Sequence, residues 1–256
     1  MKEAIISDIH GNLEAFEAVL ADISKRGLTH VICLGDVVGY GANPAECMDL
    51  AMKLEVCLMG NHEWAVLNEA LGFHQAAKQA IEYAKGQLKP GFFSGSHKRE
   101  RWEYIKNLPD RHVKGKYLFV HGSPASPVEE YILKQEVDEM LGEYTKKVAL
   151  AFEKTDFVAI IGHTHTPGIV TSDAKFITPE KITGAFKFEP PRKYIANVGS
   201  VGQPRDGNWH ACYAILDREA DTIEYARVPY DVEAAMRKIM KAGLHEHLST
   251  RLKQGA

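Results

Sequence analysis

The chain has 256 residues, 45% hydrophobic and 25% charged, and its 31 basic and 34 acidic residues leave a formal net charge of -3. That balance excludes disordered, collagen-like and low-complexity chains, and it lacks the global basic bias of a sequence-independent nucleic-acid binder. No apolar run approaches the roughly 18 to 20 residues a membrane helix needs; the longest, Phe157 to Gly162, is the length of a strand.

Along the chain, Lys2 to Ser7 reads as a strand that meets the Asp8 carboxylate before any leader core develops. No signal peptide is therefore expected, and the expected location is the cytoplasm. Asn12 to Lys25 reads as a helix with Leu13, Phe16, Val19, Leu20 and Ile23 on one face. With strands at His30 to Leu34 and Glu55 to Met59, the first sixty residues follow a βαβαβ pattern that implies a parallel sheet. From about Trp64 to Leu108 the pattern turns helical without strands, broken at Pro90-Gly91, as an inserted layer would be.

Lys116 to His121 and Asp156 to Ile161 are two further strands, separated by a helical run near Gln135 to Phe152. Alternating segments at Gly168 to Thr171, Lys193 to Val198, Ala211 to Leu216 and Thr222 to Val228 point to an antiparallel second sheet, before a closing helix from Asp231 to Lys241. The polar tail, 243–256, is expected to fray. The expected organisation is one α/β domain over residues 1–242 with two stacked sheets and a helical insert at about 64–108.

Cys33, Cys47, Cys57 and Cys212 show no CxxC spacing and read as reduced core thiols, with no disulfide and no thiolate metal site. Met48, Met52, Met236 and Met240 lie at helical spacing and read as core. The charged cluster His97-Lys98-Arg99-Glu100-Arg101 suits a solvated helix face.

Five breaks each follow an apolar strand and carry metal-ligand side chains: Asp8-Ile9-His10, Gly35-Asp36, Gly60-Asn61-His62-Glu63, His121-Gly122 and Gly162-His163-Thr164-His165. Groups just beyond the carboxyl ends of parallel strands converge on one crevice, so five such breaks can build one site. Asp8/His10 and His163/His165 are i, i+2 pairs, which in extended backbone point to the same side and reach one metal or two adjacent ones. Five of the twelve histidines fall at these strand ends, more than packing alone would place there.

In order, these blocks resemble the calcineurin-like metallophosphoesterase family, whose pattern is D-x-H, G-D, G-N-H-[DE], H and G-H-x-H. The turn Asn197-Val198-Gly199-Ser200 is similar to one in small prokaryotic phosphodiesterases of that family. The resemblance implies two stacked mixed β-sheets flanked by helices, a four-layer sandwich. It implies a first metal on Asp8, His10 and His165, a second on Asn61, His121 and His163, and Asp36 bridging them. Two carboxylates against two divalent ions leave a positive surplus that attracts phosphate. Nitrogen and oxygen ligands suit manganese, iron, zinc, nickel or cobalt, with manganese favoured here.

His62 is left without a metal and is the general-acid candidate. Asn61, His62 and Arg205 are expected to touch the substrate, and Asp36 and His62 to take part in catalysis. Glu63 is expected either to orient the His62 ring or to serve as a helix N-terminal charge. The family's protein phosphatases carry Asp-Arg shortly after the G-D aspartate. Here Val37-Val38-Gly39-Tyr40 follows Asp36, which disfavours a protein phosphatase or symmetrical tetraphosphatase. Arg205 is either a replacement guanidinium or a salt-bridge partner of Asp206.

The expected activity is hydrolysis of a small phosphodiester or phosphomonoester, without membrane partners. An inactive interaction scaffold and a nuclease are the alternatives. The first would be expected to have lost ligands, and the second would want a basic groove with stacking aromatics.

Overall fold

In the computed structural model, which describes residues 1–256, strand β1 (Lys2–Ile6) turns Ala4 and Ile6 to one side and Ile5 to the other. All three side chains are buried, so β1 lies between two hydrophobic layers. The chain continues through α1 (Leu13–Lys25), β2 (Val31–Cys33), α2 (Pro44–Ala51) and β3 (Val56–Cys57). Three helices follow without a strand: α3 (Asn61–Leu67), α4 (Gln75–Leu88) and α5 (Ser96–Lys106).

The hairpin β4 (Arg111–Lys114) and β5 (Tyr117–Val120) comes next, then the short strands β6 (Val137–Asp138) and β7 (Glu143–Tyr144), then α6 (Lys146–Glu153) and β8 (Val158–Ile161). Strands β9 (Gly168–Thr171), β10 (Lys175–Ile177), β11 (Phe186–Lys187), β12 (Tyr194–Asn197), β13 (Ala211–Asp217) and β14 (Thr222–Val228) precede α7 (Val232–Lys241) and α8 (Glu246–Gln254).

The strands form two six-stranded mixed sheets, ordered β11-β14-β13-β1-β2-β3 and β10-β9-β12-β8-β5-β4. In the first, β1, β2 and β3 are parallel; in the second, β5, β8 and β12 are parallel. Their facing sides share a core that includes Ile5, Ile32, Leu58, Phe119, Ile160 and Leu216. The outer face of the first sheet carries the largest apolar cluster, under α1, α2, α4 and α7, and α6 covers the outer face of the second. This is the expected sandwich of two mixed sheets flanked by helices. No helix is long and apolar enough to cross a membrane.

The late strands do not form a separate antiparallel sheet. β13 pairs antiparallel with β1 and brings β14 into the first sheet, whereas β12 joins the second in parallel with β8. Alternation reports one strand's burial and carries no information about its neighbour.

Gln135 to Phe152 is not one helical run either. Asp138 Oδ1 accepts hydrogen bonds from the Met140 and Leu141 N–H groups, each 3.0 Å, and Gly142 adopts φ +68, so a turn joins β6 to β7. The helix starts only at Lys146, with Thr145 Oγ1 accepting from the Val148 N–H. Of the four methionines, Met48 is buried and Met52 and Met236 pack against the core, but Met240 is 49% exposed and is not a core residue.

The segment after Gly243 folds rather than frays. Leu248 and Leu252, one helical turn apart, are buried against the rest of the large core, and Ser249 Oγ donates to the Met236 carbonyl at 3.3 Å. Two leucines among nine otherwise polar or charged positions were too sparse a stripe to read from sequence. Leu248→Ala should therefore lower unfolding free energy by about 2 to 5 kcal/mol in urea titrations, whereas an unfolded tail would leave the midpoint unchanged.

Candidate metal centre

The loops leaving β1, β2, β3, β5 and β8 bring their side chains together. Ligand atoms of Asp8, His10 and His165 all lie within 4.8 Å of one another, as do those of Asp36, His121 and His163, and those of His10, Asp36 and His62. Asn61 joins the second group, its Oδ1 3.1 Å from His121 Nε2. The i, i+2 pairs behave differently from each other. Asp8 and His10 serve the same cluster, while His163 and His165 diverge to opposite ones.

The reason is backbone conformation. Asp8, His10, Asp36, Tyr40, His163 and His165 all have positive φ, six of the eight non-glycine residues in the chain that do. These stretches are left-handed rather than extended, at a cost on the order of 1 to 3 kcal/mol each. The extended-backbone premise is therefore replaced, though the convergence it predicted is found.

Surrounding groups fix the strained loops. Glu63, fully buried, accepts backbone N–H bonds from Gly60 (3.0 Å) and Asp36 (2.8 Å) on Oε2 and from Val38 (2.9 Å) on Oε1. It ties the β2 loop to the start of α3 and makes no hydrogen bond to the His62 ring, so the orienting role is not found. Asn197 Nδ2 donates to the Gly162 carbonyl at 2.5 Å, and Ser200 Oγ donates to the Asp8 carbonyl at 2.8 Å, so the Asn197–Ser200 turn braces two ligand loops. Gly162 has no side chain because a Cβ there would collide with Ser7 Oγ and press to 2.7 Å from Asp8 Oδ2.

Hydrogen bonds assign the imidazole protons. His10 Nδ1 lies 3.1 Å from the Val38 carbonyl and His165 Nδ1 lies 2.6 Å from the Gln203 carbonyl, and a carbonyl can only accept. Both Nδ1 atoms therefore carry the proton, and the bare Nε2 atoms face each other at 3.0 Å. Burial pushes the pKa of both rings below the ordinary histidine value, so neither readily takes a second proton.

Asp8 Oδ1 lies 3.3 Å from His165 Nε2 and has no hydrogen-bond partner. Its Oδ2 accepts from the His163 N–H at 2.9 Å. Three buried acceptors converging without a donor are the electrostatic signature of a cation site, and nitrogen with carboxylate oxygen suits a divalent first-row metal.

The second cluster meets the same need differently. His163 Nε2 donates to the Glu129 carbonyl at 3.0 Å, leaving its bare Nδ1 3.0 Å from His121 Nε2. Burial opposes charge on His121, but Asp36 overrides it and holds that imidazole up to about 9. Asp36 Oδ1 accepts from the His62 N–H at 2.9 Å. Its Oδ2 lies 3.4 Å from His121 Nε2 and 3.7 Å from His10 Nε2, facing both clusters as a bridging ligand must.

His62 sits over this floor, packed edge-on against Tyr40 (4.6 Å) and Phe73 (5.0 Å). Its Nε2 is 4.0 Å from Asp36 Oδ2, and its Nδ1 is buried without a partner. Burial pushes its pKa down to about 4 against the attraction of Asp36.

Arg205 is not paired with Asp206, which instead pairs with Arg227. The Arg205 guanidinium lies over the Tyr40 ring, 5.7 Å from its centroid, with Nη2 donating to Gln203 Oε1 at 2.8 Å. Tyr40 and Tyr131 went unread in the sequence. Tyr131 stacks on the His163 ring with centroids 3.7 Å apart, and nothing in its neighbourhood along the chain marks it. Tyr40 had one signal, its place between two glycines directly after the G-D block.

The family model of calcineurin-like phosphoesterases matches residues 1–195. The chain belongs to that family. It is 38% identical over 257 residues to an uncharacterized protein of Methanocaldococcus jannaschii, covering 97% of this chain and 96% of that one. Among solved structures it is similar to a metallophosphoesterase from Sphaerobacter thermophilus, with a TM-score of 0.83 and 34% identity, covering 100% of this chain and 99% of the other. A hypothetical protein from Pyrococcus horikoshii shares the fold at a TM-score of 0.75 and 19% identity, covering 100% and 98%.

Two measurements check the centre. Elemental analysis after reconstitution with manganese should find close to two ions per chain, about one in Asp8→Asn, and loss from both clusters in Asp36→Asn. The second concerns pH in the metal-free protein. An unfolded imidazole titrates near 6.5, whereas folded His62 holds out to about 4. Over that window the unfolded chain binds the extra proton, so stability should fall as pH falls from 6.5 toward 4. Thermal melts in chelator at pH 7.5 and pH 5 should show this drop, and His62→Gln should make it smaller.

Proposed function

We propose that this phosphoesterase family member is a two-metal hydrolase of small phosphodiesters. The converging unprotonated acceptors of Asp8, His10 and His165 carry the reading, because a scaffold released from catalysis has no use for buried acceptors set 3.0 Å apart. In this proposal Asp8, His10 and His165 hold one divalent ion and Asn61, His121 and His163 the other, with Asp36 shared and manganese the favoured metal. Ions so placed would polarise a phosphoryl oxygen and acidify water for an in-line attack.

The remaining steps belong to the protein's own groups. The Asn61 and His62 side chains and the Arg205 guanidinium border the position of the phosphoryl group and orient it. His62 is the proton donor to the departing oxygen. Its low pKa makes the imidazolium scarce at neutral pH but strongly acidic when formed, which suits transfer to a basic alkoxide. Phe73 and Tyr40 wall off the ring, so its proton exchanges toward the cleft rather than into bulk water.

The preference for a diester follows from what the β2 loop lacks. Val37 and Val38 are fully buried apolar residues where the family's protein phosphatases carry a phosphate-gripping arginine. The β2 loop itself therefore offers no cation to a monoester dianion, and a diester monoanion loses less by that absence, with Arg205 reaching in from another loop.

His62→Gln should retain both metals and lower kcat about 10²- to 10⁴-fold on a dialkyl or alkyl-aryl diester that expels an alkoxide. On bis(p-nitrophenyl) phosphate, whose leaving group departs unprotonated, the loss should be much smaller. Equal losses on both would assign His62 to phosphate positioning, and activity confined to monoesters would overturn the diester preference.

A further inference from the structure

Beside the two clusters a cleft of about 450 Å³ opens directly from the second one, with Asn61 and His163 at its floor. Its walls are Trp64, Leu71, Phe73 and Tyr131. Trp64 is 38% exposed, Tyr131 41% and Leu71 71%, so three apolar groups face open space immediately beside a polar centre. Exposed aromatic surface of this kind, continuous with a reacting centre and large enough for a small ligand, marks a binding site.

The geometry points to a nucleobase as the group that fills this cleft, making Trp64 and Tyr131 specificity-determining residues for a nucleotide phosphoester. The inference rests on the phosphodiesterase reading above. A phosphoryl group seated over Asn61 and His163 would leave its ester substituent beside the four wall residues.

Tyr131 lies nearly parallel to the His163 ring, at 19°, so its plane is fixed rather than free to rotate, and a planar ring gains most from a fixed platform. Phe73 is held edge-on by His62. The one charged residue in the lining is Glu129. Its backbone carbonyl accepts from His163 Nε2 at 3.0 Å. A planar base can stack on the aromatic planes of the walls, whereas an alkyl chain has no face to stack.

Base-on-aromatic stacking is worth about 5- to 150-fold in affinity per base. Calorimetric titration of the manganese-loaded protein with the non-hydrolysable phosphonate analogues of adenosine 5′-phosphate and of ribose 5-phosphate reads that factor directly. The nucleotide analogue should bind at least tenfold more tightly than the sugar analogue.

Trp64→Ala should remove most of that ratio while the sugar analogue still binds. Leu71→Glu, a change at an exposed position that leaves folding intact, should reduce the ratio in the same direction. Equal affinities in the wild-type protein, or a ratio unchanged in both variants, would overturn the inference, as would tighter binding of an octyl phosphonate than of the nucleotide. Hydrolysis of bis(p-nitrophenyl) phosphate separates the two readings. If it proceeds while the base adds nothing, the cleft assignment fails and the hydrolase stands; a base-dependent affinity without hydrolysis does the reverse.

Discussion

Two imidazole nitrogens, both stripped of protons by the carbonyls behind them, face each other at 3.0 Å in the interior of this protein. Left alone, that contact is repulsive, and the unpartnered Asp8 oxygen 3.3 Å from one of them deepens the deficit of positive charge. Folding alone gains nothing from the arrangement. A cation sharing the acceptors would make it favourable, and the cost held in the metal-free fold would be recovered on binding. The same economy explains why six left-handed non-glycine residues are gathered at one place.

Such a centre can exist only on a rigid base, and the two sheets provide it. β1 lies at the middle of one sheet with β2 beside it, and β8 at the middle of the other, each flanked by paired strands, so the loops leaving them start from fixed points. The loops are then laced to one another: the Asp8 and His10 N–H groups donate to the Gly35 and Asp36 carbonyls, and Glu63 gathers three backbone donors from Gly60, Asp36 and Val38. Burial and the nearby Asp36 raise the Glu63 carboxyl to about 7, so this clamp is close to its own limit of ionisation at neutral pH. Cation binding at Asp36 would relieve that repulsion, coupling the clamp to the centre it supports.

What the sequence disclosed about this site is what local chemistry can disclose. The ligand blocks were legible because each pairs a strand end with residue types that packing does not demand there. The βαβαβ start was legible because its apolar periods are long and separated by glycine. The tail was not, since Leu248 and Leu252 act through a core assembled by residues far away in the chain. Neither was the distribution of β12 and β13 between sheets, because both strands are buried on both faces and their sequences do not name a neighbour. Tyr131 is the clearest case: its role comes from lying against His163, thirty-two positions along the chain, and no spacing rule reaches that far.

The C-terminal tail also bears on the site. The Arg205 N–H donates to the His165 carbonyl at 3.1 Å, and two residues on, the Gly207 N–H donates to the Gly255 carbonyl at 2.9 Å. The loop that carries the guanidinium is thus pinned at one end to the His165 loop of the first cluster and at the other to the end of α8. From that helix Arg251, whose own pKa burial and the Arg205 charge push down to about 10, adds a second cation near Tyr40. Arg251 Nε donates to an oxygen of Ala256, the last residue, while Arg205 makes no ion pair with an acidic side chain. The C-terminal helix and the Arg205 loop thus bring cationic groups, and α3 and the Tyr131 loop aromatic ones, to the surroundings of the same clusters. In the function proposed above, a phosphoester would meet both kinds of group before any bond is broken, and that would orient it.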